Sequence, residues 1–146
     1  MENCYYHKVH YYETDRMGIT HHSNYIRWME EAREFVLGSI GFGLTSLEKL
    51  GFTSPVVSVE CEYKRTTTYD DEIKIEVSVE KYTGVKLFLS YIMTNVKTGE
   101  TVVVGSSCNC FTGEGGRPIA IKKHFPEIDE ALRKAAEEGS NRQAQL

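Results

Sequence analysis

Apolar residues recur along this chain in two periods, and the change from one to the other divides it. From Tyr25 the apolar positions Tyr25, Trp28, Met29, Ala32, Phe35 and Val36 fall at i, i+3, i+4, i+7, i+10 and i+11, with Arg27, Glu30, Glu31 and Glu34 mostly elsewhere on the wheel. That spacing predicts an amphipathic helix. Ser23 or Asn24 can accept an orphan backbone N–H at its start, and Gly38 or Gly41 can end it. After the glycine-rich connection GFGLTSLEKLG the period becomes two: Val57, Val59, Cys61 and Tyr63 face one way, Ser58, Glu60, Glu62 and Lys64 the other. A strand with one covered face is expected there.

Ile73, Ile75, Val77 and Val79 repeat the alternation, and Tyr82-Thr83-Gly84 and Lys97-Thr98-Gly99 punctuate two further strands, near 86 to 96 and 101 to 111. These four strands with short turns predict an antiparallel meander. Before the helix, the Tyr-, Val- and His-rich run from Cys4 to Tyr12 suits a first strand, followed by the turn-prone TDRMG. Gly105, Ser106 and Ser107 are small enough to let a helix lie close against the sheet. The expected architecture is α+β, a curled antiparallel sheet wrapped around one central helix of about 15 residues, roughly 22 Å long. Exposed edge strands offer pairing between subunits. One domain over residues 1–138 is expected, with a short polar helix from Pro126 to Glu138 and a disordered tail over 139–146.

Composition narrows the function classes. The chain has 146 residues, 17 basic against 21 acidic, for a net charge of -4. Neither a nucleic-acid footprint nor a membrane-surface signal follows, so an anionic ligand would need a local patch. No run of about 18 apolar residues predicts a membrane span, and MENCYYHKVHYY is no secretory signal, so a cytoplasmic protein is expected. The cysteines at 4, 61, 108 and 110 read as reduced thiols, without the paired CxxC motifs of a zinc site. No metal is expected.

Chemistry concentrates in YYETDRMGITHHSNYIRWMEEAR, Tyr11 to Arg33. Asp15 falls between a strand and a helix, where a carboxylate can sit near the free backbone N–H groups of a helix start. It could act as base or nucleophile while those groups polarise a carbonyl. Alternatively it closes a turn with Thr14 and Gly18. The His22 imidazole could also assist proton transfer. Other readings are structural: His21 and His22 order the loop by hydrogen bonds, His7 and His10 occupy half-exposed strand positions, Glu30 and Arg33 pair locally, and Trp28 and Met29 belong to the core.

The order Y-x-E-T-D-x-M-G, H-H-S-N-Y, W-x-E-x-A-R resembles the signature of the hotdog-fold acyl-CoA thioesterases of the 4-hydroxybenzoyl-CoA thioesterase family, and strand order and length are similar from Cys4 to about Phe125. The resemblance implies a hotdog fold and hydrolysis of an acyl-CoA thioester to the free acid and coenzyme A, with no cofactor. It implies that Asp15 is catalytic, as nucleophile or as base for water, and that the backbone N–H of His22 binds the thioester oxygen. It further implies homodimers, often paired into homotetramers, with the site at the subunit interface. Relatives usually carry an apolar or aromatic pair where this chain has Thr20 and His21, which places His21, with Tyr25, at the substrate and leaves the acyl group open. Lys64, Arg65 and Lys86 are the local cations suited to the phosphates of coenzyme A, or else solvated strand-end charges. An acyl-carrier-protein thioesterase, a dehydratase of the same architecture and a non-catalytic acyl-CoA binding protein are the alternatives.

Overall fold

The computed structural model describes residues 3–144. Its elements are β1 (Cys4–Lys8), α1 (Ser23–Gly38), α2 (Leu44–Lys49), β2 (Val56–Tyr63), β3 (Glu72–Tyr82), β4 (Lys86–Asn95), β5 (Thr101–Cys110) and α3 (Pro126–Ala144), with single 3₁₀ turns at Tyr11–Glu13, Glu114–Gly116 and Ile121–Lys123. The strands form one antiparallel sheet in the order β1-β3-β4-β5-β2. The expected meander therefore holds for β3, β4 and β5 only. β1 occupies the edge of β3, Cys4 opposite Glu76 and Lys8 opposite Glu72, which leaves β2 to pair with β5 across the sheet.

The helical stripe packs as its spacing requires. Tyr25, Trp28, Met29, Ala32, Val36 and Leu37 of α1 are buried, as are Ile73, Ile75, Val77 and Val79 of β3. Gly105 explains how closely helix and sheet approach: a Cβ there would lie 2.9 Å from the Glu60 carbonyl oxygen and 3.1 Å from Met29 Cε. A side chain at Gly105 would push α1 off the sheet. Of the other small residues, Ser107 faces inward and shares a 2.8 Å hydrogen bond with the buried Tyr91 hydroxyl.

Three local expectations are corrected. The first strand ends at Lys8, because the chain turns at Tyr11–Glu13 to bring the Glu13 carboxylate inward. The connection after α1 is partly helical, as α2, whose Leu47 is buried. The helix after Pro126 continues to Ala144, past the expected start of a disordered tail; residues 145 and 146 lie outside the described residues. Leu132 plugs α3 into the core, and the Tyr82 hydroxyl donates to Asp129 Oδ1 at 2.6 Å, so α3 is tied down near its start. The first residues of the tail inherit a helix already nucleated.

β2 departs most from its pattern. Val59, Cys61 and Tyr63 lie opposite the inward-facing Ser107, Gly105 and Val103, so the alternation points as predicted. Yet Val57 is 55%, Val59 39% and Tyr63 47% exposed. Helix α1 meets this edge where the Tyr25 and Tyr63 rings lie 5.5 Å apart, and Cys61 is half-buried, but much of the face expected to be covered is open in the single chain.

Candidate active site

Asp15 sits at the head of a tight loop. Thr14 and Thr20 form an isolated bridge, the Asp15 N–H donates to the Ile19 carbonyl at 2.8 Å, and the Gly18 N–H donates to the Asp15 carbonyl at 2.9 Å. Gly18 has φ 79, a left-handed conformation that glycine adopts without a Cβ penalty. Asp15 Oδ1 accepts the Met17 N–H at 2.8 Å, so the turn-closing reading is correct for one oxygen. Among the described residues Oδ2 has no protein partner, and the side chain is half-buried. The carboxylate is thus aimed by one oxygen and free at the other.

The loop is anchored from outside. The Thr20 N–H donates to the Thr67 carbonyl at 2.8 Å, the Thr20 and Thr67 hydroxyls meet at 2.6 Å, and the Thr68 hydroxyl donates to the Gly18 carbonyl at 2.7 Å. Tyr25 completes this clasp with its hydroxyl 2.9 Å from Thr67 Oγ1. Its ring is 3% exposed, lies against Trp28, and has its ionisation pushed up by burial despite the threonine hydrogen bonds. In the single chain Tyr25 is a loop anchor with no face offered to a ligand, and the Thr20 hydroxyl is likewise committed.

The helix start lies beside the loop. His22 is the N-cap of α1 and makes no side-chain cap bond, so neither Ser23 nor Asn24 caps the helix as expected. His21 Nδ1 instead accepts the Ser23 N–H at 3.3 Å and meets Ser23 Oγ at 2.8 Å, while the Asn24 amide donates to the Glu13 carbonyl at 2.8 Å. The His21 N–H also donates to the Glu13 carbonyl, at 2.9 Å. The His22 N–H has no hydrogen-bond partner among the described residues. An unpaired N–H at a helix N-terminus is a ready donor for an oxygen that gains negative charge. The His21 and His22 rings stack on each other at 4.3 Å, both exposed, and Tyr63 donates its hydroxyl to the His22 carbonyl at 3.2 Å.

Behind this loop lies a cluster that sequence reasoning missed. Glu13 is buried; its Oε1 accepts the His10 N–H at 2.8 Å and lies 2.8 Å from His7 Nε2, and its Oε2 accepts the Trp28 indole N–H at 2.6 Å. Burial alone would raise this carboxyl, but the His10 N–H and then His7 and Trp28 outweigh it and hold it below its ordinary value. His7, expected to be half-exposed, is buried against Trp28, and its Nδ1 lies 3.3 Å from Glu31 Oε2. The Tyr5 hydroxyl donates to the same Glu31 oxygen at 3.0 Å; its ionisation is pushed up to about 12 by burial and by Glu31. His7, His10 and Glu13 also form the one group of metal-ligating side chains among the described residues, with ligand atoms within 4.8 Å of one another. Because Glu13 Oε1 already serves two nitrogens, hydrogen bonding accounts for the cluster. The signal was the glutamate inside Y-x-E-T-D and the threonine run Thr66 to Thr68.

The expected cations do not converge. Lys64 pairs with Glu62 at 3.3 Å and Arg65 with Glu100 at 3.1 Å, all exposed side chains. The backbone N–H groups of both cations donate to the Val102 carbonyl, whereas Lys86 lies opposite Cys110. Eight residues of β5 separate those positions, about 26 Å at strand spacing. Lys64 and Arg65 therefore share the Asp15 end of the sheet, and Lys86 stands at the other. Glu30 and Arg33 form no ion pair among the described residues; Arg33 approaches the Tyr91 hydroxyl instead.

An antiparallel sheet curled around one long helix, with an acidic loop feeding the helix start, defines the hotdog-fold thioesterases. Residues 9–135 match the thioesterase-like superfamily, and the chain belongs to it. It is 35% identical to "Putative acyl-CoA thioesterase YneP" of Bacillus subtilis over 88% of this chain and 93% of that one. It is 33% identical to an Aquifex aeolicus protein named as an esterase, over 88% and 98%. The DHNA-CoA thioesterase structure from Staphylococcus aureus superposes with a TM-score of 0.88 at 30% identity, covering 99% of this chain and 95% of that one. The chain is a thioester hydrolase. No described helix is long and apolar enough to cross a membrane.

Proposed function

We propose that the protein hydrolyses an acyl-CoA thioester to the free acid and coenzyme A, with Asp15 as nucleophile or general base and the His22 N–H as carbonyl donor. The observation that carries this reading is the pairing of a half-free carboxylate with an unpartnered helix-start N–H on one anchored loop. With the thioester oxygen on the His22 N–H, Asp15 Oδ2 takes a proton from water, and the resulting hydroxide adds to the carbonyl carbon. The C–S bond then breaks, and the departing thiolate takes up the proton. Direct attack by Asp15 would instead expel the thiolate and leave an acyl-enzyme anhydride, which a water opens to the free acid and the Asp15 carboxylate, its remaining proton passing to the thiolate. Either route consumes one water. A thiol-release screen over aliphatic and aromatic acyl-CoA esters tests the reading, with at least one ester expected to turn over. No thiol release from any ester would overturn it, and release only from acyl-carrier-protein substrates would move the activity to carriers.

The site reads as completed by a second copy of the chain. The uncovered apolar face of β2 and the separation of Lys86 from Lys64 and Arg65 support this. A two-fold axis perpendicular to β2 at this edge would set the partner's strand antiparallel and bring its Lys86 end towards the Asp15 end. Mixing Asp15→Asn protein with Lys86→Glu protein, each impaired alone, should then restore activity, because hybrid dimers contain one native site. A mixture no faster than the sum of its parts would place both groups on one chain.

A further inference from the structure

The buried cluster behind the loop joins three segments through one residue. Glu13 accepts hydrogen bonds through both ends: its carboxylate from His7, the His10 N–H and Trp28, its carbonyl from the His21 N–H and the Asn24 amide. The first set ties the 3₁₀ turn to β1 and to the inner face of α1. The second ties the same residue to the peptide next to the His22 N–H and to the first turn of α1. Asp15 is two residues further on. Any rotation of Glu13 must therefore shift both halves of the proposed machinery relative to each other.

The charge arrangement makes this clasp hard to replace. Both ring nitrogens of His7 lie near carboxylate oxygens, Nε2 at 2.8 Å from Glu13 Oε1 and Nδ1 at 3.3 Å from Glu31 Oε2. His7 thus stands between the two carboxylates, and Glu31, at the outer end of the row, is steadied by the Tyr5 hydroxyl. A carboxylate that accepts three donors cannot be matched by an amide, whose nitrogen can only donate. Either Trp28 or the His7–His10 pair would face another donor.

We propose that Glu13 is a positioning residue, whose buried carboxylate sets the distance and orientation between the Asp15 carboxylate and the His22 N–H. This rests on the reading of Asp15 given above. The expected signature of Glu13→Gln is a turnover number lower by about 10- to 100-fold, the scale of an ångström-sized misplacement, with the Michaelis constant nearly unchanged. Since Glu13 would act only through the reacting groups, adding Glu13→Gln to Asp15→Asn should slow the enzyme no further. A merely structural role would lower the active fraction equally in both backgrounds.

The chain holds one tryptophan, so its single indole N–H resonance reports the Trp28–Glu13 bond directly and should move upfield in Glu13→Gln. Should that variant not fold, a second pair serves: His7→Gln keeps a donor towards Glu13 and should keep most of the turnover, whereas His7→Leu should lose it. Folded Glu13→Gln with parental turnover, an equal loss in both Asp15 backgrounds, or equal losses in the two His7 variants would each overturn the proposal. If Asp15→Asn itself keeps the parental rate, the Asp15 reading fails; if it slows the enzyme while Glu13→Gln does not, only the positioning role fails.

Discussion

Glu13 and Asp15 stand two residues apart and carry the same functional group in opposite circumstances. Glu13 is buried and has a donor on every side; Asp15 is half-buried, holds one backbone N–H and keeps an oxygen free. A carboxylate whose acceptor sites are filled holds structure in place, while one aimed but unfilled can exchange a partner with substrate or water. Sequence spacing makes the two look alike, and their surroundings separate them.

The sharpest test of that contrast is Asp15→Asn. The amide keeps the turn bond at Oδ1, so the melting temperature should hold, while turnover falls by at least about 100-fold, as for loss of an acid or base. A variant that stays stable and keeps more than about a tenth of the rate would leave Asp15 a turn residue. Glu13 should respond through stability as well. Its carboxyl is held below the ordinary 4.5, so the unfolded chain binds its proton more readily than the folded one. The stabilisation is complete above the ordinary value and is lost as pH falls through the lower folded value. Chemical denaturation from pH 7 downward should show this acid limb, flatter in Glu13→Gln, which at neutral pH should also be less stable by about 1–3 kcal/mol. The smallest effect is expected at Thr67→Val, which keeps shape but leaves the Thr20 and Tyr25 hydroxyls without their partner, a cost of about 1 kcal/mol. Urea melts would measure it, and an unchanged midpoint would mean that the backbone bonds alone hold the loop.

Much of the fold was legible because burial leaves a period. The stripe from Tyr25 to Val36 and the alternation from Ile73 to Val79 each identified a packed face, and small size at Gly105 announced the close approach of α1. Strand order was less legible, because β2 alternates as well as β3 does and nothing local tells it to pair with β5. The same strand shows that alternation does not by itself say what covers a face, because Val57, Val59 and Tyr63 alternate yet stay exposed in the single chain. At the site, the Y-x-E-T-D motif pointed to Asp15, but pattern alone could not say that the inward-facing Tyr25 meets Thr67 with its hydroxyl. Nor could it bring Glu13 to Trp28. Those contacts depend on how the 3₁₀ turn docks, a tertiary property with no sequence period.

The clasp on the Asp15 loop has a consequence for the order of events in the life of the chain. Thr20 and Thr67 are 47 positions apart, and Thr68 and Gly18 are 50 apart. During synthesis the motif leaves the ribosome before the residues that clasp it, and the bonds from Thr67 and Thr68 cannot form until β2 and the turn after it have followed. Closing so long a segment carries an entropic cost that only the finished sheet offsets. The enzyme should therefore gain secondary structure before it gains activity on refolding, with the lag set by when the stretch from Thr66 to Thr68 docks onto the loop.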